Sequence, residues 1–462
     1  MRPTVDLVVT NGTLVDVFGE YPNTSVAIDR GRFVAVGSAD IMPPAQRTID
    51  ATGCYLLPGV IDAHVHFREP GLAYKEGYPA GSAAAALGGV TCVFDMPNTE
   101  PPTNTAQRVR EKIDLVQGRS WVDYAFYGLL SQGDSRHLAA MAAAGVIGIK
   151  TFLGQSETGL GCPLPPNDGE LLDAMQILAG LGVRLAVHAE NHQIMQHRIA
   201  DLKLNNVEGL AAHRDSRPSL VEAEAIARIG IFAEHTRCPV HIVHVSSQAG
   251  LEQVRRARQH GVDISAETCP HYLLFPNGTD ASERVRLRVN PPIRGESDRD
   301  ALIQALRSDG LQFVASDHAP HADTEKCGGS IWQVRAGLIG VQHLLQLLWS
   351  HRTELGLTLS QIVRLTSFGP ARTWRVWPGK GSITPDADGD LVIVDPDREW
   401  TIAAASIQSL HPQSPYLGWQ GKGMPIWTVV RGNIVAEEGK LVGSPCGRWL
   451  PGPHALQPID NQ

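Results

Sequence analysis

Between roughly residues 56 and 375, short apolar runs alternate with stretches of helical periodicity, and this alternation leaves the chain few architectures. The runs 146–149, 183–187, 240–245, 262–266 and 311–315 have strand length. Around them lie the helix candidates 79–86, 134–144, 168–180, 220–234, 248–260 and 299–308. Strands buried on both faces read as continuous apolar runs, and a repeated strand-then-helix order builds a parallel sheet. The length of the region predicts an α/β fold, a (β/α)8 TIM-like barrel. A doubly wound open sheet is the alternative. No GxGxxG follows an early strand, which weakens the dinucleotide-binding form of that alternative.

The two ends of the chain read differently. Strands 5–10 and 13–17 flank Asn11-Gly12, and strands 25–29 and 33–37 flank Arg30-Gly31-Arg32. The same texture returns at 390–394 and at 426–435, the latter interrupted by Arg431-Gly432-Asn433. Each half has too few strands to be stable alone, so the ends are expected to pair into one small β-sandwich. The expected organisation is a composite β domain from 1–55 and 376–446, a barrel from 56–375, and a tail from 447–462. The tail lacks apolar periodicity and is expected to fray or to wrap a neighbouring subunit.

Composition narrows the function. The 40 basic and 48 acidic residues give a net charge of −8, and no basic stripe is present, so nucleic acid is not an expected partner. The seven cysteines are scattered, odd in number and without CxxC spacing. That argues against a disulfide framework and a zinc knuckle, and for a reducing, cytoplasmic setting. No run reaches the ~18 apolar residues that a membrane span needs.

The chemistry sits at strand exits. His64 and His66 alternate in Asp62-Ala63-His64-Val65-His66, so both face one side of a strand. Further apolar runs lead into Lys150, His188, His244 and Asp317. Each alone reads most simply as a polar residue closing a strand. Together, at the barrel end where active sites form, they read as metal ligands. Lys150 fits such a cluster only when neutral or modified. Carbamylation would make it an anion with two oxygens, able to bridge two metals ~3.5–4 Å apart. Otherwise it is a surface lysine with a solvated head.

The stretches PGVIDAHVHFREPG, GGVTCVFDMPNTEPPT, GVIGIKTFLG, LAVHAEN, CPVHIVHVSS, ETCPHYLLF, NPPIR and ASDHAPH stand in this order along the chain. The set resembles the cyclic amidohydrolases of the amidohydrolase superfamily: dihydroorotase, allantoinase and dihydropyrimidinase (hydantoinase). The resemblance spans nearly the whole barrel and implies a hydrolase with two zinc ions. His64, His66 and Asp317 would hold one zinc and His188 and His244 the other. Carboxylated Lys150 and a hydroxide would bridge them, and Asp317 would shuttle the proton. Cys269, inside ETCPHY, is expected only to pack.

The same resemblance bears on substrate. Arg68, Asn98 and His321 match positions that bind a carboxylate in dihydroorotases, and Asn290 of NPPIR is expected to touch the ring. These residues favour dihydroorotate opening to N-carbamoyl-aspartate. ETCPHYLLF, with Tyr272, together with CPVHIVHVSS and the segment around Trp332, are closer to allantoinase or hydantoinase. An allantoin- or hydantoin-type ring is therefore the alternative, and a catalytically silent assembly partner a third possibility. Trp332 either covers the site or packs. The family implies a homodimer or homotetramer.

Overall fold

The computed structural model describes residues 4–155, 164–275 and 286–456. Cys162 and the last six residues of the tail fall outside these residues.

Five strands open the chain: β1 (Val5–Val15), β2 (Glu20–Asp29), β3 (Arg32–Gly37), β4 (Ala45–Asp50) and β5 (Tyr55–Pro58). Eight follow in the middle: β6 (Val60–Val65), β7 (Val90–Asp95), β8 (Asp123–Leu130), β9 (Gly148–Phe152), β10 (Leu185–His188), β11 (Val240–Ile242), β12 (Ile264–Thr268) and β13 (Phe313–Val314). Four close it: β14 (Leu391–Thr401), β15 (Gln420–Val430), β16 (Asn433–Glu437) and β17 (Lys440–Leu441). The middle eight pair in sequence order, all in parallel. A bridge between Val65 and His318, with His66 N–H donating to the His318 carbonyl at 2.8 Å, brings the last strand region back to the first. The result is a nearly closed TIM-like barrel wrapped by helices.

The ends form a separate nine-stranded mixed sheet. Strand β5 pairs in parallel with β1 and antiparallel with β14, which joins the two chain ends. Leu7, Val26 and Phe33 from one end share a buried cluster with Leu391, Ile393 and Val429 from the other. Apolar residues contributed by both halves supply the burial that neither half has alone.

Two observations tie barrel and sheet together. Lys380 is buried, with its ammonium 2.5 Å from Asp123, 2.7 Å from Asp390 and 3.0 Å from Asp388. Arg431 pairs with Asp123 as well. Burial works against the Lys380 charge, yet the Asp390 and Asp123 carboxylates hold its pKa well above the usual lysine value.

The described part of the tail is tied to the barrel of its own chain. Gly447 N–H donates to the Ser120 carbonyl, Leu450 to Tyr124, Gly452 to Gly145 and Leu456 to Ala143. A side chain on Gly447 or Gly452 would meet a backbone carbonyl oxygen at 2.0 Å, so both positions need glycine. Backbone pairing onto the barrel floor, which needs no side-chain periodicity, replaces the expected loose end.

Strand ends also moved. The apolar run at 146–149 enters the barrel late, so β9 begins at Gly148 and Lys150 lies within the strand. His244 and Asp317 lie beyond their strands in the left-handed region, at φ 41° and 47°. No helix of the described residues is long and apolar enough to cross a membrane. Replacing Lys380 by Met strands buried carboxylates without their counter-charge. A loss of about 3–5 kcal/mol is expected, read as a lower denaturant midpoint with an unchanged far-ultraviolet spectrum.

Candidate metal centre

The side chains at the barrel exits converge in two halves. In one, His64 Nε2 and His66 Nε2 each lie 3.3 Å from Asp317 Oδ1. In the other, His188 Nδ1 lies 3.0 Å from His244 Nε2. The His64 and His244 rings sit 5.3 Å apart between the halves. Donor atoms of His64, His244 and Asp317 all fall within 4.8 Å of one another. Lys150 is fully buried, and its Nζ has no hydrogen-bond partner.

Three of the four histidines are held from behind. His64 Nδ1 contacts Glu267 at 2.5 Å, His66 Nδ1 contacts Asn98 Oδ1 at 2.8 Å, and His188 Nε2 contacts Glu190 at 2.9 Å. One ring nitrogen is thereby committed outward, and the other faces the centre. His244 differs: its buried Nδ1 has no hydrogen-bond partner. Burial pushes the imidazoles of His64, His66 and His244 well below the usual range, which keeps them neutral. Burial likewise draws the Lys150 ammonium down to about 7, against the pull of Glu267 and Asp317. Neutral imidazoles beside a carboxylate, with an orphaned buried amine in their electrostatic reach, are a donor set that fits divalent metal. A second carboxylate group, Asp123, Asp388 and Asp390, already holds Lys380.

The candidate substrate residues separate here. Arg68, Asn98 and Asn290 line the cavity above the centre, whereas His321 is not part of its lining. Arg68 reaches it from a left-handed backbone, at φ 65°, a conformation that clusters at functional sites. Asn98 spends its amide oxygen on His66. His321 has both ring nitrogens engaged: Nε2 at 3.0 Å from the Ala336 carbonyl, Nδ1 at 3.2 Å from Lys75 Nζ. Asn290 Oδ1 is buried and has no hydrogen-bond partner.

Other residues near the centre resolve simply. Trp332 donates to the Val207 carbonyl at 3.2 Å and packs beside Met195, Ile199 and Val221, away from the cavity lining. Cys269 is buried, and burial pushes its thiol well up, which suits a packed residue.

Sequence reasoning missed the outer carboxylates and took Asn98 only as a substrate contact. Glu267 lies near the end of β12, and Glu190 follows His188 by two residues. Position at a strand exit was the available signal. Arg217, which pairs with Glu190 from another segment, gave none.

The family follows from this geometry and from likeness to known proteins. Residues 55–435 match the amidohydrolase family. The chain belongs to the amidohydrolase family. An allantoinase of Rubrobacter xylanophilus is 36% identical over 449 residues, covering 96% of this chain and 97% of that one. An L-hydantoinase of Paenarthrobacter aurescens is 32% identical over 443 residues, covering 95% and 96%. Among solved structures, the L-hydantoinase (dihydropyrimidinase) of Arthrobacter aurescens superposes with a TM-score of 0.92 at 31% identity, covering 97% of this chain and all of that one. The dihydropyrimidinase of Brevibacillus agri superposes at 0.89 and 28% identity, covering 98% and 99%.

Within the amidohydrolases these relatives correct the substrate expectation. They carry the names allantoinase and hydantoinase, so the alternative is better supported than the dihydroorotase-like first choice. The physical reason lies in the same residues. His321, which suggested carboxylate binding, meets Lys75 and the Ala336 carbonyl instead, and Asn98 gives its amide oxygen to His66.

Arg217 is buried against Glu190, and burial raises that carboxyl less than the guanidinium and His188 lower it. Arg217→Met leaves the carboxylate without its counter-charge. The expected cost is about 3–5 kcal/mol, measured as a fall in unfolding free energy.

Proposed function

We propose that this amidohydrolase opens the ring amide of a cyclic ureide of the allantoin or hydantoin type. His64, His66 and Asp317 would hold one zinc ion and His188 and His244 a second, with carboxylated Lys150 as a further anionic ligand. The observation that carries the proposal is the buried, orphaned Lys150 amine, near enough to His64, His66, His244 and Asp317 to act on each electrostatically. It occurs in a chain similar over most of its length to allantoinases and a hydantoinase.

Zinc at this place supplies Lewis acidity, which polarises a carbonyl and makes water a nucleophile near neutral pH. The chain's residues do the rest. Asn290 Oδ1, buried on the cavity wall, accepts a ring N–H and fixes the orientation of the ring. Arg68 donates to a ring carbonyl, and after the reaction to the carboxylate that opening creates. Asp317 takes a proton from the attacking water and returns it to the leaving nitrogen. The water oxygen bonds to the carbonyl carbon, the C–N bond breaks, and the ring becomes a carboxylate and a ureido group. Lys75, His321 and Glu325 hold the cavity wall at Arg335, Ala336 and Gly337 through the 2.8 Å Lys75–Glu325 pair and the His321–Ala336 bond.

A homodimer or homotetramer is part of the proposal; Leu204, Leu220 and Ile231 offer exposed apolar surface for it. The free cysteines Cys54, Cys92, Cys238, Cys269, Cys327 and Cys446 suit a cytoplasmic setting.

The deciding experiment is parallel hydrolysis of allantoin, hydantoin, dihydrouracil and dihydroorotate by zinc-loaded protein. Turnover of allantoin or hydantoin that a chelator abolishes and zinc restores is expected. Turnover of dihydroorotate alone would overturn the proposal. Asp317→Asn should lower kcat by about 10²–10⁴-fold, and a retained rate would remove Asp317 as the proton carrier.

A further inference from the structure

Beneath the candidate centre runs a chain of buried polar groups that the reaction itself does not use. Glu267 Oε1 lies 2.5 Å from His64 Nδ1, and its Oε2 lies 3.0 Å from His241 Nε2. His241 Nδ1 is 2.8 Å from Ser265 Oγ, which accepts from Arg184 Nη1 at 3.3 Å. His241 and Glu267 have no exposure, and Phe313 stacks on the His241 ring at 5.0 Å between centroids.

Counting donors fixes the direction of this chain. A guanidinium only donates, so Ser265 Oγ accepts from Arg184. An ionised Glu267 only accepts, so His241, kept neutral by burial, faces it with an N–H at Nε2 and takes the Ser265 hydroxyl hydrogen at Nδ1, 2.8 Å away, in preference to the Val240 carbonyl at 3.3 Å. His241 therefore carries its proton on Nε2 and donates it to Glu267. The other Glu267 oxygen takes the Nδ1 proton of His64. That leaves the Nε2 lone pair of His64 pointing toward Asp317, 3.3 Å away.

We infer that Glu267, anchored by His241, is a positioning residue that locks His64 in the tautomer and orientation needed to bind a cation with His66 and Asp317. The inference rests on the metal-centre proposal above. The other half provides an internal control, because His188 has its own outer carboxylate in Glu190. Loss of Glu267 should disturb one metal position and spare the other.

The test uses the full chain loaded with Zn2+. Metal content is measured by mass spectrometry after gel filtration, and affinity by competition with a chromophoric chelator. Glu267→Ala should weaken one zinc about 10–100-fold while the second stays tight. Glu267→Gln should recover most of the loss. Its amide oxygen still accepts from His64, and its NH2 donates to His241 once His241 and Ser265 turn round, with Ser265 donating to the Val240 carbonyl. A Glu267→Ala protein holding two zinc ions at unchanged affinity would overturn the inference. So would a Glu267→Gln protein as impaired as the alanine variant, since that loss would be of charge and not of position. If Glu267→Ala does not fold, Glu267→Asp, one methylene short of His64, replaces it with the same expectation. An unmutated chain that binds no zinc would instead defeat the metal-centre proposal and take this inference with it.

Discussion

Everything at the barrel mouth depends on one constraint: six ligand-capable side chains are nearly fully buried where the barrel strands end. Burying such groups costs several kcal/mol each unless their polar atoms find partners. The chain meets the cost by giving outer acceptors to His64, His66 and His188, namely Glu267, Asn98 and Glu190. The groups left over, Lys150 Nζ and His244 Nδ1, lie in the same cluster. A site with its outer bonds made and its inner atoms turned together is built to hold something.

The fold supplies the rigidity that this arrangement needs. Parallel strands fix the ligands' spacing, and the left-handed turns at His244 and Asp317 aim those side chains inward from beyond their strands. At the opposite end the Lys380 cluster joins the barrel to the mixed sheet, and the tail is laced onto β8 and its neighbourhood by backbone hydrogen bonds. The charged groups of that junction are satisfied among themselves. This explains why a carboxylate triad that looks metal-competent by composition serves as an ion-pair staple.

Substrate recognition shows how residue types alone mislead. Asn98 and His321 are polar, buried and next to ligands, which is the profile of a substrate contact. Both ring nitrogens of His321 are directed at Lys75 and Ala336, and the amide oxygen of Asn98 at His66, which leaves the Asn98 amide hydrogens facing a cavity that Asn98 still lines. Asn290, with an unpartnered amide oxygen on the cavity wall, has what a ring-binding residue requires. Bonding state, more than residue identity, separates the two kinds.

By itself the sequence determined the strand-and-helix alternation, the β texture of both chain ends and the six ligand-capable residues in or just after barrel strands. These are local properties: apolar runs set strands, and a residue's place at a strand end sets which way it points. Tertiary structure alone decided the rest. Glu267 meets His64 from 203 positions away, Arg217 meets Glu190 from 27, and the tail finds the barrel floor through carbonyls that carry no side-chain signature. Contacts of that kind depend on the closure of the barrel, which brings distant segments to one place, and no local pattern encodes them.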